Sequence, residues 1–236
     1  MDTNTLIRNA TADADSRCRR LERALAERNR ELSRLRAQVT IAHHDTIERL
    51  IAAAQCRDRD TGEHIERIGR YSGIIARRLG LSDDAIEVLT AAAPMHDVGK
   101  LAIPDAILKK TSALTSAERL VMEQHTVIGS RMLQGSDSPL LQVGATIALA
   151  HHERWDGSGY PYRLAGDAIP LEARICAVAD VYDALSTNRR YREALPRKTV
   201  LGMMQSRRGR HFDPGVLDAF LGCRTEIEHL RLLAAA

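Results

Sequence analysis

The residues best suited to chemistry in this sequence are histidines that stand next to a second potential ligand. The chain has nine histidines, and two ligand doublets stand out, His96-Asp97 and His151-His152. Adjacent residues on a helix point about 100° apart, so a doublet at a helix end can offer one ligand to each of two neighbouring ions. A carboxylate such as Asp97 can bridge those ions with its two oxygens. The doublets therefore predict a centre with more than one cation.

A single carboxylate, Asp180, follows the apolar run Ile175-Cys176-Ala177-Val178-Ala179. A buried carboxylate is costly unless it is paired or bound to metal, so we predict that Asp180 closes the set. The full set of predicted ligands is His64, His96, Asp97, His125, His151, His152 and Asp180. Nitrogen and oxygen donors without thiolate favour iron or manganese over structural zinc. Seven ligands exceed one tetrahedral site and fit two octahedral ions with open positions for water and substrate.

Any one of these histidines could instead be an ordinary packed or surface residue. We interpret His43, His44, His211 and His229 in that way. For the predicted ligands, the structural interpretation would have to hold at every position at once, so the combination favours the metal centre.

The elements that position these residues are expected to be helices. Hydrophobic residues make up 44% of the chain and aromatic residues only 3%, so the core must consist mainly of Ala, Leu, Ile and Val. Ala and Leu are strong helix formers, and no strand-like alternation occurs, so we predict an all-α fold of the helical-bundle type. The predicted helices are 65–79 with Gly80 as C-cap, Ser82 to about Lys100 with a kink at Pro94, Thr115 or Ser116 to about Leu133, 139–152, Leu171 to about Thr187, 199–206 and 214–221, with a loop over 155–170.

The N-terminal part of the chain has the pattern of a coiled coil. The spacing between successive apolar residues alternates between four and three, which defines a seam along one side of a helix. The seam residues are Leu21, Leu25, Leu32, Leu35, Val39 and Ala42, and Arg28 interrupts the seam. This predicts a long solvated helix that dimerises, although it could also lie on its own domain. The stripe widens at Ile47, Leu50, Ile51 and Ala54, as expected for a helix on a globular core. We therefore predict a stem over residues 1–44 and a globular domain over 45–236.

Composition excludes several classes of function. The net charge of +3 arises from 34 basic and 31 acidic residues, a balance that does not indicate a nucleic-acid partner. The four cysteines are well separated and predict free thiols in a reducing cytosol. Because no stretch approaches about 18–20 consecutive apolar residues, we expect a cytoplasmic protein that does not insert into a membrane.

Two segments resemble the motifs of a known family. His96-Asp97-Val98-Gly99-Lys100 is similar to the motif H-D-x-G-K, and the segment from His151 to Pro161 is similar to H-H-E-x-x-D-G-x-G-Y-P. Together they resemble the HD-GYP group of HD-domain phosphohydrolases. The match extends to Arg57-Asp58, to Thr61-Gly62-Glu63-His64, to the segment 180–185 and to His211-Phe212-Asp213-Pro214, and covers about residues 45–222.

The resemblance implies a metal-dependent phosphodiesterase that opens the bacterial second messenger cyclic di-GMP by means of a metal-bridging hydroxide, giving pGpG as the first product and leaving open a second cleavage to GMP. It assigns the seven predicted ligands to the metals, with Asp97 and Lys100 as catalytic residues. Members with a third ion carry Glu where this chain has Asp60, so two ions are expected and a third is left open. Substrate contacts are implied for Lys100, Gly159, Tyr160, Pro161, Arg189 and Arg192.

Two other functions compete with this interpretation. One is a different HD-type enzyme, such as a nucleotide phosphohydrolase acting on dGTP. The other is a catalytically weak module that senses the dinucleotide or docks a protein. Related proteins often carry a receiver domain, so a receiver or another signalling protein is the expected regulatory partner.

Overall fold

The computed structural model describes residues 17, 19–39, 41, 45, 49, 62–188 and 193–233. The chain divides into two compact units, Met1–Leu50 and Ile51–Ala236. In the first unit, residues 19–39 are helical (α1). The predicted seam residues of α1 are all exposed, from 50% for Leu35 to 72% for Leu21. Ala42 and the wider stripe predicted at Ile47, Leu50, Ile51 and Ala54 lie outside the described residues.

The second unit is built from helices, which confirms the predicted all-α class. They are α2 (Gly62–Arg78), α3 (Asp83–Ala92), α4 (Asp105–Leu108), α5 (Ser116–Leu133), α6 (Pro139–Ala150), α7 (Leu171–Ser186), α8 (Arg197–Gln205) and α9 (Pro214–Leu233). Short 3-10 helices cover Ala93–Met95, Val98–Ala102 and Gly166–Ala168. No β-strand occurs in the described ranges, and the extended contacts there are two isolated bridges, Asp156 with Ala165 and Arg208 with Phe212.

The helix α7 is the central element of this unit. It packs against α2, α6, α8 and α9, and its run 175–179 is buried at every position. A helix that is apolar on all sides belongs in a core, which is why the sequence places α7 there. The carboxylates that follow this run, Asp180 and Asp183, therefore stand on a core helix.

The helix α2 carries the other side of the core. Ile68, Tyr71 and Ile75 are fully buried, and α2 packs against α3, α7 and α9. A side chain at Gly69 would lie 2.6 Å from the carbonyl oxygen of Thr90, so glycine lets α2 and α3 approach closely. This packing fixes the N-terminal turn of α2, which carries His64.

Local signals in the sequence set several helix ends as predicted. The Ser82 side chain accepts a hydrogen bond from the Ala85 N–H at 3.4 Å and caps α3. Thr115 and Glu118 form a capping box at the start of α5. Gly80, just after α2, has a φ of +81°, the left-handed conformation that favours glycine at this position.

Several predicted boundaries were wrong. Two helices begin earlier than expected, α2 at Gly62 instead of 65 and α8 at Arg197 instead of 199. The helix expected to run to Lys100 with a kink at Pro94 ends at Ala92, and the chain continues as a 3-10 helix, because proline lacks the N–H that an α-helix needs. The helix expected to reach His152 ends at Ala150. The last helix was expected to end at Leu221 but continues to Leu233.

Contacts with distant parts of the chain support the extra turns of α9. Ile227 is fully buried, Glu228 forms an ion pair with Arg197 at 2.6 Å, and Arg231 donates a hydrogen bond to the carbonyl oxygen of Ser186. These partners support a segment that begins with Gly222, a weak helix former, and continues with strong helix formers such as Glu, Leu and Arg.

Candidate metal centre

The seven predicted ligands lie close together in two neighbouring groups. In each group the potential ligand atoms all lie within 4.8 Å of one another. The first group contains Asp97, His125, His151 and His152, and the second contains His64, His96 and Asp180. The rings of His96 and His151, one from each group, are 5.1 Å apart between centroids.

Five elements of the second unit bring these residues together. His64 stands in α2, His125 in α5 and Asp180 in α7, while His151 and His152 directly follow α6. The remaining two ligands, His96 and Asp97, lie between two 3-10 helices. The early end of α3 thus places this doublet in a turn, where both side chains face the same cluster.

A close approach at Gly99 sets the position of Asp97. A side chain at Gly99 would overlap the carbonyl oxygen of His125 and lie 2.5 Å from the backbone N of Gly129. Only glycine allows the 3-10 helix Val98–Ala102 to lie this close to α5. The glycine of the first motif therefore brings Asp97 against His125.

The Asp97 carboxylate lies between the two groups. Its Oδ1 is 3.3 Å from His125 Nε2 and 3.7 Å from His151 Nε2. Its Oδ2 is 3.3 Å from His96 Nε2 and 2.7 Å from Lys100 Nζ. One oxygen faces each group, the arrangement expected of a carboxylate that bridges two cations.

Backbone carbonyls orient three of the imidazoles. Each Nδ1 lies within hydrogen-bond distance of a main-chain oxygen three or four residues earlier: His96 with Ala93 (2.9 Å), His125 with Met122 (2.7 Å) and His151 with Ile147 (3.0 Å). Such a bond requires the proton on Nδ1. In the neutral form of each ring, Nε2 therefore presents its lone pair to the cluster, as a metal ligand must.

Five buried atoms that face the cluster have no hydrogen-bond partner among the described residues. These buried atoms are the Nε2 of His64, His96, His125 and His151, and Oδ1 of Asp97. The histidine nitrogens that lie 3.3 Å from the Asp97 oxygens are therefore not aligned for hydrogen bonding. A buried polar atom left unpaired costs about 1–3 kcal/mol, so five in one place indicate a missing partner with positive charge. The residues fit two divalent cations.

The electrostatics of the cluster point to the same conclusion. Burial lowers the pKa of His151, and it lowers that of His152 further, so both rings are neutral near pH 7. Burial also opposes the charged form of His96, but the negative charge of Asp97 outweighs it and raises the pKa of His96 to about 9. Without a cation, therefore, a proton on His96 balances the carboxylates.

His64 contacts a buried ion pair, Arg67–Asp183, which was not predicted from the sequence. The Asp183 carboxylate is fully buried and lies 2.6 Å from His64 Nδ1 through Oδ2. Arg67 donates to both Asp183 oxygens, from Nε at 2.6 Å and from Nη2 at 3.0 Å. A carboxylate on Nδ1 holds the proton there and directs Nε2 to the cluster. The sequence offered one indication of this ion pair: Arg67 follows His64, and Asp183 follows Asp180, by about one helical turn, so each pair lies on one helix face.

The signature loop after His152 lies against the cluster. The Tyr160 ring is 4.7 Å from the His152 ring between centroids, and the Tyr160 N–H donates to the carbonyl oxygen of His152 at 3.3 Å. A side chain at Gly159 would lie 2.5 Å from the backbone N of Arg154. Glycine at 159 therefore lets the loop fold back on the end of α6 and brings Tyr160 beside two predicted ligands, His152 and His125.

Glu153 is a second residue whose role the sequence did not indicate. It is 2% exposed, and its carboxylate accepts hydrogen bonds from the N–H groups of Tyr162 (2.7 Å) and Leu164 (3.0 Å). Burial raises the pKa of the Glu153 carboxyl, while these amide donors oppose the rise. Both oxygens accept from N–H groups, which favours the ionised form.

The other residues considered at the sequence level are located as follows. Lys100 is 19% exposed at the edge of the cluster, and Pro161 follows Tyr160 in the loop. His211 stacks on Phe212 with a centroid distance of 4.4 Å, and His229 is exposed. Asp60, Arg189, Arg192, His43 and His44 lie outside the described residues.

Comparison with known proteins agrees with this fold. The family model described as HD domain matches residues 20–216. The chain therefore belongs to the HD domain family, and its two motifs identify it as a member of the HD-GYP group within that family.

Two curated relatives and one solved structure illustrate the similarity. The cyclic di-GMP phosphodiesterase response regulator RpfG of Xanthomonas campestris is 46% identical over 89% of this chain and 55% of its own length. A cyclic di-GMP phosphodiesterase of Thermotoga maritima is 45% identical over 78% of this chain and 50% of its own. The crystal structure of a Vibrio cholerae cyclic GMP-AMP-specific phosphodiesterase superposes with a TM-score of 0.55 at 21% identity, covering 79% of this chain and 50% of that one.

The chain thus spans about half the length of the relatives it matches. Within the described ranges, no helix has the length and apolar character needed to cross a membrane.

Proposed function

We propose that this protein is a metal-dependent phosphodiesterase that hydrolyses cyclic di-GMP to pGpG and then to GMP. The observation that carries the proposal is the pair of adjacent ligand groups whose inward-facing nitrogens and oxygen have no other partner. The names of the two curated relatives described above, both cyclic di-GMP phosphodiesterases, support the choice of substrate.

The residues proposed to hold the metals are the seven members of the two groups. Their all-nitrogen and oxygen donor set favours iron or manganese. Cations bound there supply Lewis acidity, which lowers the pKa of water and offsets charge on phosphoryl oxygens. Two ions are expected, and the binding of a third ion by Asp60 is left open.

The chain's own residues would contribute positioning and charge. Asp97 offers one oxygen to each group, so it would contribute a ligand to both cations. Lys100 places an ammonium group beside Asp97 at the edge of the cluster, where it can offset the charge of a phosphodiester. Arg189 and Arg192 are proposed to bind phosphate oxygens, because guanidinium groups do so in bidentate fashion. Gly159, Tyr160 and Pro161 are proposed to contact the nucleotide.

The direct test is turnover of cyclic di-GMP by the protein loaded anaerobically with Fe(II) or Mn(II). The products are separated by chromatography, and metal content is measured on the same sample. We expect pGpG and GMP from the wild type, and loss of both metal and turnover in Asp97→Ala. Cyclic GMP-AMP and dGTP are assayed in parallel, and a clear preference for either would contradict the proposed substrate. Tight binding of cyclic di-GMP without product would instead identify a sensing module.

For the first unit, we propose that α1 pairs with α1 of a second copy of the chain. The support is the exposure of its seam residues, such as Leu25 at 63% and Leu32 at 53%, at the spacing that two-stranded coiled coils use. The test is the mass in solution by light scattering. We expect a dimer that becomes a monomer on Leu25→Glu and Leu32→Glu together. A wild-type monomer at micromolar concentration would contradict the proposal.

Two further proposals concern the setting in which the protein acts. We propose a cytoplasmic location, supported by the free thiols of Cys176 and Cys223. We also propose that a receiver or another signalling protein regulates it, supported by its similarity to the response regulator RpfG.

A further inference from the structure

We propose that Glu153 is a positioning residue for substrate binding: its carboxylate clamps the far limb of the signature loop and thereby holds Tyr160 at the metal centre. The proposal rests on the proposed function for the identity of the substrate. It assigns a role in the reaction to a side chain that is neither a predicted ligand nor a predicted substrate contact.

The Glu153 carboxylate occupies an unusual position. Glu153 directly follows the ligand pair His151-His152, yet it belongs to neither ligand group. It is 2% exposed, and no ion pair to Glu153 is found in the part of the chain that the structure describes. Burying a carboxylate without a cation is costly unless hydrogen bonds satisfy it. Its role must therefore lie in the groups that donate to it.

Those donors belong to the far limb of the signature loop. The N–H groups of Tyr162 and Leu164 point to the two oxygens of Glu153, at 2.7 and 3.0 Å. The acceptor lies nine residues before the first donor and eleven before the second. One side chain at the root of the loop thus binds the limb that returns from its tip.

Tyr160 lies between two parts of the loop that are held in place. On one side, Gly159 packs against the backbone of residues 152–154. On the other side, Tyr162 is the first residue held by Glu153. Tyr160 is therefore fixed from both sides, with its ring 4.7 Å from the His152 ring. Releasing the Tyr162 side leaves Tyr160 held from one side, through Gly159 and through its own contacts with His152.

The hydrogen bonds of the Glu153 carboxylate do not involve the side chains of the predicted metal ligands. His151 is oriented by the carbonyl oxygen of Ile147, which Glu153 does not contact. Loss of the Glu153 carboxylate should consequently release the loop and leave the metal ligands in place. A residue needed only for folding would not give this separation between substrate binding and metal binding.

The test compares Glu153→Gln with Glu87→Gln, the same substitution at an exposed position of α3. Glutamine keeps one acceptor oxygen but turns an N–H₂ group toward the second amide donor. For cyclic di-GMP turnover we expect KM to rise about tenfold, the factor that corresponds to ~1.4 kcal/mol of lost binding. We expect kcat to change less than KM, metal content per chain to stay at the wild-type value, and Glu87→Gln to match the wild type.

Two readouts test the clamp without turnover. Amide hydrogen exchange at Tyr162 and Leu164 should become faster in Glu153→Gln. The fluorescence of Trp155, the only tryptophan in the chain, reports directly on the loop and should change in the same variant. Glu153→Asp, which keeps the charge, should restore part of the protection.

The outcomes are distinguishable. Unchanged amide exchange together with unchanged KM would overturn the clamp, as would a loss of metal that parallels the rise in KM. If the wild type does not hydrolyse cyclic di-GMP, the proposed function fails, and amide exchange with Trp155 fluorescence still decides whether Glu153 holds the loop. Should Glu153→Gln unfold, Glu153→Asp carries the same measurements.

Discussion

Replacing Asp183 with Asn removes the negative charge that connects Arg67 to His64. In the wild type the fully buried carboxylate accepts two hydrogen bonds from Arg67, at 2.6 and 3.0 Å, and lies 2.6 Å from His64 Nδ1. The Arg67 side chain is only 9% exposed, so in the variant its charge stays buried and keeps only the longer ion pair with the exposed Glu63, at 3.5 Å. Breaking a buried pair in this way costs about 3–5 kcal/mol of stability.

The same substitution should weaken metal binding at one group. Asp183 fixes the proton on His64 Nδ1, and loss of such an outer partner typically lowers metal affinity about 10- to 100-fold. His125 and His151 bind backbone carbonyls instead, so their group should keep its cation. We therefore expect Asp183→Asn to bind about one metal per chain under conditions in which the wild type binds two.

A double variant separates stability from metal binding. In Asp183→Asn with Arg67→Met, no uncompensated buried charge remains, so much of the lost stability should return. The metal defect should persist, because His64 still lacks its carboxylate. Metal content is measured by mass spectrometry and stability by denaturant unfolding of the metal-free protein. Asp218→Asn, in the exposed Arg208–Asp218 pair, is the control and should match the wild type in both.

Acid unfolding gives an independent check on Asp183. Burial acts to raise the pKa of this carboxyl, but the hydrogen bonds from His64 and Arg67 outweigh it, so the pKa lies below its ordinary value. A lowered pKa stabilises the folded state above the unfolded value of about 3.9, and this contribution is lost as the pH falls through the folded value. Below pH 4 the metal-free wild type should lose stability more steeply than the double variant. Equal slopes and equal metal content in all variants would refute the role given to Asp183.

Three further predictions concern the cluster and its glycines. Metal binding at pH 7.5 should release about one proton per chain from His96, because the pKa of this residue lies at about 9 without a cation. Titration with a pH indicator should show that this release disappears near pH 10. A proton release that stays constant with pH would contradict the prediction. Gly99→Ala should cost about 1–3 kcal/mol, as overpacking does, and should remove metal, because the new methyl group meets the His125 carbonyl; a variant with full metal content would argue against this close approach. Gly159→Ala should raise KM for the dinucleotide, since its methyl group meets the backbone of Arg154, whereas Gly202→Ala, with open space around it, should not; steady-state kinetics of both variants test this.

Much of the fold followed from short-range patterns. The Thr115–Glu118 capping box and the Ser82 cap are interactions within three residues, so the local sequence carries all the information they need. The end of α3 was misjudged because the sequence shows that Pro94 disturbs a helix but not whether the helix bends or stops. The length of α9 was underestimated because its last turns depend on Arg197 and Ser186, which lie far away in the chain.

The sequence by itself determined which kinds of ligand are present and on which helices or turns they stand, because residue type and helical periodicity are local properties. Only the tertiary structure decided how these ligands divide into two groups, that Asp97 lies between them, and that Asp183 and Arg67, 116 residues apart, support His64. It also decided that Glu153 reaches across the signature loop to Tyr162. Such contacts depend on how closely whole helices pack and how a loop folds back, and the identities of neighbouring residues do not specify these distances.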